Sequence, residues 1–162
     1  MITIRRAETE DQRQVKDLVQ EIMGREFGDQ TNAYPTNDIE NILDAYGGLG
    51  EAFFVALDEA RVIGTVAIKK EDNRVALMRR LFVAASHRNQ KIGLHLIDTV
   101  LEFCDEMGYQ EIVFKTTSRM EAANKTCQKR GFVQRAKLHL GNIELLKFVC
   151  VLPNGSKNSK KG

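Results

Sequence analysis

Arg88-Asn89-Gln90-Lys91-Ile92-Gly93 joins an apolar, extended-looking run to the start of an amphipathic one. A turn between a strand and a helix presents unpaired backbone N–H groups at the positive end of the helix dipole. Such a place receives phosphate. Arg88 and Lys91 add positive charge, and Gly93 removes a side chain so that a ligand can approach the main chain. On these residues alone, a solvated basic helix start is the competing reading. A second pair stands just upstream. Arg79 and Arg80 are consecutive in the extended run, so their side chains point to opposite faces and one of them addresses any cleft that the strand borders. An arginine there would favour a substrate carrying a carboxylate. It would equally lie over the sheet or pair with a neighbouring acid.

The elements that must position these groups follow from periodicity. Residues 2–6 alternate as a strand. Thr9 and Gln12 have the spacing of a capping box, and Val15, Leu18, Val19, Ile22 and Met23 then recur at helical spacing as far as about Phe27. A polar stretch, residues 28–36, leads to a short second helix. Asn37 and Glu40 cap it, Ile39, Ile42, Leu43 and Tyr46 form its apolar stripe, and Gly47-Gly48-Leu49-Gly50 stops it. Strands over residues 52–57, 62–69 and 75–83 are separated by tight polar turns, which favours an antiparallel meander. A helix over residues 92–107 and a strand over 111–116 complete a strand-helix-strand unit, which implies a parallel pair. A helix over 120–130 ends at Gly131, and strands over 132–140 and 143–151 flank the hairpin signal Gly141-Asn142. From Pro153 onward no apolar residue occurs, and residues 153–162 read as a disordered basic tail.

Composition narrows the class. A chain of 162 residues with 43% hydrophobic and 28% charged content supports one globular domain. A net charge of +2, part of it from Lys157, Lys160 and Lys161, gives no basic stripe for nucleic acid. No apolar run approaches the roughly 20 residues of a membrane helix, and the first residues lack the apolar block of a signal peptide. Cys104, Cys127 and Cys150 are widely spaced and odd in number, which argues for a reducing compartment. His87, His95 and His139 form no metal-ligand spacing. The expectation is a cytoplasmic protein without metal, nucleic-acid or membrane partners.

Leu81-Phe82-Val83, a short loop and His87 to Gly93 resemble the acetyl-CoA signature of the GNAT acetyltransferase superfamily. Arg88 matches its first position and Gly93 its last, while Lys91 replaces a middle glycine. If that position needs a positive φ, Lys91 would weaken pyrophosphate binding, unless its ammonium pairs with phosphate. Met120, Ala123, Cys127, Gly131 and Phe132 resemble a second family pattern, and the order of elements over residues 1–151 fits the same domain. The resemblance implies an α+β GNAT fold over residues 1–152: a mixed, mostly antiparallel seven-stranded sheet with about four helices on its faces.

It further implies acetyl transfer from acetyl-CoA to the primary amine of a small molecule by direct attack in a ternary complex. The alternative is a module of this fold that binds CoA without catalysis. The backbone of Phe82 and Val83 would hold pantetheine, in a gap where two strands splay apart. Backbone N–H groups of Arg88, Asn89, Gln90, Lys91, Ile92, Gly93 and Leu94 would hold the pyrophosphate, and the Val83 N–H would stabilise the thioester oxygen. Asn124 would contact pantetheine, with capping or plain solvent exposure as the competing readings, and Lys125 and Lys129 would meet phosphates or stand as plain surface lysines. Cys127 takes the position of the family's usual tyrosine acid; the competing reading is a small buried hydrophobe. No carboxylate occurs in residues 75–80, where some relatives place a base. Glu26, Asp29, Glu51 and His87 are candidates of the second rank, and the base stays unassigned. Dimerisation through the last strands is compatible with this pattern.

Overall fold

A computed structural model describes residues 1–27 and 37–153. Alternating apolar positions make β1 (Ile2–Arg6), which pairs antiparallel with β2 (Ala52–Asp58). β3 (Arg61–Lys70) and β4 (Val75–Val83) continue the meander. β5 (Glu111–Thr117) lies parallel to β4, and β7 (Ile143–Val151) inserts between β5 and the edge strand β6 (Val133–Leu140). The order is β1-β2-β3-β4-β5-β7-β6, a seven-stranded mixed sheet with one parallel pair. The helices are α1 (Gln12–Phe27), α2 (Ile42–Ala45), α3 (Ile92–Glu106) and α4 (Glu121–Lys129). β2 and β3 read as near-continuous apolar runs because α1 and α3 both pack on this part of the sheet and bury both of its faces.

Two helix starts differ from the sequence reading. A 3-10 turn, Thr9–Asp11, precedes α1, and the Glu8 N–H donates to the Asp11 carboxylate at 2.7 Å. The cap therefore sits one residue earlier than the Thr9–Gln12 pattern suggested, because Arg5 also holds Asp11 in place, at 2.7 Å. Likewise Asn37–Glu40 form a 3-10 turn, and Asn41 is the residue that caps α2, accepting from the Asp44 N–H. Ile39, Ile42 and Tyr46 are buried as expected, while Leu43 is exposed. The polar stretch 28–36 and the tail beyond Pro153 lie outside the described residues.

The centre of the sheet opens. β4 pairs with β5 only from Val75↔Glu111 to Met78↔Phe114. Beyond that point β4 stays with β3 as far as Val83↔Gly64, and β5 stays with β7 as far as Thr117↔Leu145. At the start of the opening Thr65 faces Phe82 and Ala67 faces Arg79, so β4 carries one extra residue. Arg80, at φ 56°, supplies this bulge, and the Thr65 hydroxyl donates to its carbonyl at 2.7 Å. Among the described residues no helix is long and apolar enough to cross a membrane, and no group of His, Cys, Asp or Glu is placed to hold a metal ion.

Candidate active site

The bulge decides which main-chain groups face the opening. Ala84 donates its N–H to the Ile63 carbonyl at 2.8 Å, so the backbone groups of Ala84 and Phe82 point at β3. Strand alternation then turns those of Leu81 and Val83 into the gap left by β5. The Phe82 backbone, expected to face the gap, is thus committed to the ladder, and Leu81 takes that place. The Val83 carbonyl accepts from Arg88 Nε at 3.1 Å, which leaves its N–H facing the gap.

After β4 a 3-10 turn, Ala85–His87, leads to the turn that opens α3. Asn89 and Lys91 are left-handed there, at φ 66° and 63°. The position that Lys91 occupies does require positive φ, at a cost of about 1 kcal/mol for a residue with a Cβ. Lys91 is also the N-cap of α3 and supplies no side-chain acceptor. Among the described residues nothing accepts the N–H groups of Ile92, Gly93 and Leu94. The helix start is therefore an open anion site. A Cβ built on Gly93 would meet Thr126 at 3.4 Å and Val83 at 3.8 Å, ordinary contacts. Packing of the protein does not demand the glycine; what it leaves bare is surface on the cavity.

The Arg88 guanidinium is committed to partners within the protein. It donates to the Val83 carbonyl and, at 2.7 Å, to Glu26, which pins the turn to the end of β4 and to α1. His87 lies 2.8 Å from Asp58 and 2.7 Å from Ser86, so both ring nitrogens are engaged. The His87 contact also holds the Asp58 carboxyl below its ordinary range.

A cavity of about 740 Å³ runs from the gap along the α3 start to α4. Phe82, Val83, Arg88, Asn89, Lys91, Ile92, Gly93 and Leu94 line it together with Ala123, Lys125, Thr126 and Lys129. Gln90 is exposed outside this lining. Asn124 stands behind the wall, buried, its Nδ2 donating to the Thr117 carbonyl at 2.9 Å. Its Oδ1 is buried without a donor, an unusual state for a native interior. Cys127 is fully buried and lines neither this cavity nor the next. Burial pushes its thiol well above the ordinary thiol range, and in this position it packs as a small hydrophobe.

A second cavity, of about 430 Å³, lies across the opening and shares Leu81, Phe82 and Met120 with the first. Arg79, Arg80, Lys115 and Asp38 are its charged lining. Arg80 makes a two-point pair with Asp38, at 2.6 and 2.9 Å, and Tyr46 donates to the same carboxylate at 2.5 Å. Although burial opposes it, these bonds keep the Asp38 carboxyl below its usual range. Glu51 lines neither cavity; it accepts from the Gly48 and Lys70 N–H groups and holds the α2–β2 loop. Asp29 lies outside the described residues.

Sequence reasoning pointed neither to the gap-facing backbone of Leu81 nor to Asp38 in the wall of the second cavity. No glycine or proline marks the bulge, and the Asp38–Arg80 pair spans 42 positions.

Residues 15–132 match the family model described as Acetyltransferase (GNAT) family. Human N-acetyltransferase 8 is 33% identical over 101 residues, covering 59% of this chain and 44% of the relative. N-acetylaspartate synthetase of Xenopus tropicalis is 35% identical over 96 residues, covering 59% and 34%. The chain spans less than half the length of these curated relatives. A GNAT superfamily phosphinothricin acetyltransferase from Sinorhizobium meliloti, solved with acetyl-CoA, superposes with a TM-score of 0.80 at 19% identity, covering 96% of this chain and 91% of that one.

Proposed function

The chain belongs to the acetyltransferase (GNAT) family, and we propose that it moves an acetyl group from acetyl-CoA to the primary amine of a small molecule, by direct attack in a ternary complex. The observation that carries this reading is the meeting of two cavities at Leu81, Phe82 and Met120, where the Leu81 and Val83 N–H groups face the gap between β4 and β5. One cavity is long and ends on an open helix start; the other is short and charged. A donor and an acceptor entering from opposite sides would meet at backbone amides.

The residues present fit acetyl-CoA. The free N–H groups of Ile92, Gly93 and Leu94, with the left-handed turn before them, suit a diphosphate. Lys91, Lys125 and Lys129 line the same cavity and would meet further phosphate charge. Gap-facing amides of β4 would pair with the pantetheine arm as a strand would. The orphaned Asn124 Oδ1, next to the splay, has acceptor capacity for an amide N–H of that arm if the wall adjusts. Acetyl-CoA supplies an activated acyl group. The Leu81 and Val83 N–H groups lie where charge would grow on the carbonyl oxygen during attack, and they need no reorganisation to meet it. Holding both partners at one junction contributes through orientation.

Tyr34 lies outside the described residues, and among those lining either cavity no tyrosine occurs to protonate the departing thiolate. That absence favours the second reading, a CoA-binding module. One assay separates the two. Thiol release from acetyl-CoA with a panel of small primary amines is expected to exceed the amine-free rate; binding of CoA by calorimetry with no release on any amine would establish the module instead. The relative named for N-acetylaspartate, an acetylated amino acid, supports a small acceptor.

A further inference from the structure

We propose that the second cavity selects acceptor amines that also carry a carboxylate, held by Arg79 and Lys115. This rests on the transferase reading above and gives its acceptor a chemical class. Three cations and one carboxylate line the cavity. Arg80 and Asp38 answer each other at 2.6 and 2.9 Å, with side chains only 7% and 16% exposed, so neither is available to a ligand. Arg79 and Lys115 remain, both exposed; Arg79 also bonds the Tyr46 hydroxyl, and no carboxylate among the described residues pairs with either.

The register supplies a second, independent sign. Lys115 on β5 lies directly opposite Lys147 on β7, both exposed. Like charges directly opposite in an antiparallel pair are destabilising. Arg79 and Lys115 stand in the cavity wall with Lys147 beside Lys115 on β7, and among the described residues none of the three pairs with a carboxylate, which leaves an anion site unfilled. An arginine fork takes a carboxylate at two points, and an ammonium beside it adds charge without further geometry. The shared wall of Leu81, Phe82 and Met120 then fixes how far the amine of such a molecule stands from the carboxylate. A purely cationic acceptor such as a polyamine would be repelled by the same charges.

The test uses matched acceptors: an α-amino acid, its carboxamide and its decarboxylated amine, assayed by thiol release with the intact protein. With kcat/KM expressed per neutral amine, so that the different amine pKa values of the three acceptors cancel, the acid is expected to lead the other two by about tenfold to a hundredfold. In Arg79→Gln the acid-to-amide ratio is expected to fall towards one, and in Lys115→Gln to fall in part. Equal values for the three per neutral amine in the intact protein, a lead for the amide or a polyamine on that scale, or an unchanged ratio in Arg79→Gln would overturn the proposal. A readout without turnover separates this from the transferase reading. With CoA present, the N-acetylated acid should raise the melting temperature of the intact protein and not that of Arg79→Gln, while the N-acetylated amide raises neither. That pattern without any thiol release would leave the anion site standing and remove the transferase; no shift with the acid product would remove the site.

Discussion

Lys91 carries a strain that its neighbours do not relieve. It is left-handed at φ 63°, ψ 17°, in a turn whose next three N–H groups have no acceptor among the described residues. Lys91→Gly should therefore stabilise the ligand-free protein by about 1 kcal/mol, less the entropy that glycine adds to the unfolded chain, and thermal unfolding reads the sum. CoA affinity of the same variant should depend less steeply on salt, since one ammonium in the cavity is lost. An unchanged salt dependence would show that Lys91 stays in solvent. At Val83 the argument turns on the main chain. Its N–H faces the gap and makes no ladder bond, so Val83→Pro should fold with a near-normal melting temperature and lose about a hundredfold in kcat, whereas Val83→Ala keeps both. Equal turnover in the two variants would remove the Val83 amide from the chemistry.

The bulge in β4 and the 3-10 turn before α2 act as one element, because Arg80 and Asp38 join them through a pair that is mostly buried. Asp38→Asn leaves Arg80 buried without its counter-charge, and a cost of about 3 kcal/mol is expected in denaturant unfolding. The pH dependence has a definite sign. The Asp38 and Asp11 carboxyls are both held below their ordinary range, by Arg80 with Tyr46 and by Arg5 with the Glu8 N–H. Their stabilisation is complete above the unfolded value of about 3.9 and disappears as pH falls through the lower folded values. Acid unfolding should thus set in below about pH 4, and less steeply in Asp38→Asn. This element also marks the limit of what the residues disclose by themselves. Every strand follows from apolar periodicity and turn residues, which are local, and the parallel β4–β5 pair follows from the length of the strand-helix-strand unit. The bulge at Arg80 has no glycine to announce it. The Arg88–Glu26 and Arg80–Asp38 pairs join positions 62 and 42 apart, so no periodicity points to them. Alternation along an unbulged β4 gives the gap to Phe82; one extra residue gives it to Leu81 and Val83.

For the molecule as a whole, the open question is where the acceptor's proton goes. An ammonium cannot attack a carbonyl, so either the protein removes a proton or the amine arrives neutral. The second cavity offers a single carboxylate among its described lining residues, and Asp38 is spent on Arg80 and Tyr46 with its affinity for protons lowered. Glu26 lines the other cavity and faces Arg88. If none of the carboxylates that line the cavities takes the proton, the neutral fraction of the amine itself should set kcat/KM. The expected profile rises tenfold per pH unit and levels off at the amine's own pKa, not at a value fixed by the enzyme. Two acceptors of similar shape distinguish the cases. One with an α-amine near pKa ~8 should plateau roughly two units below one with a lysine-like amine near ~10.4. A common break near neutral pH for both acceptors would instead reveal a titrating group of the protein, and Glu26→Gln and His87→Gln would then locate it by which one abolishes the break. The surplus of cations around the second cavity favours the first outcome, since neighbouring positive charge disfavours the ammonium form of anything bound there.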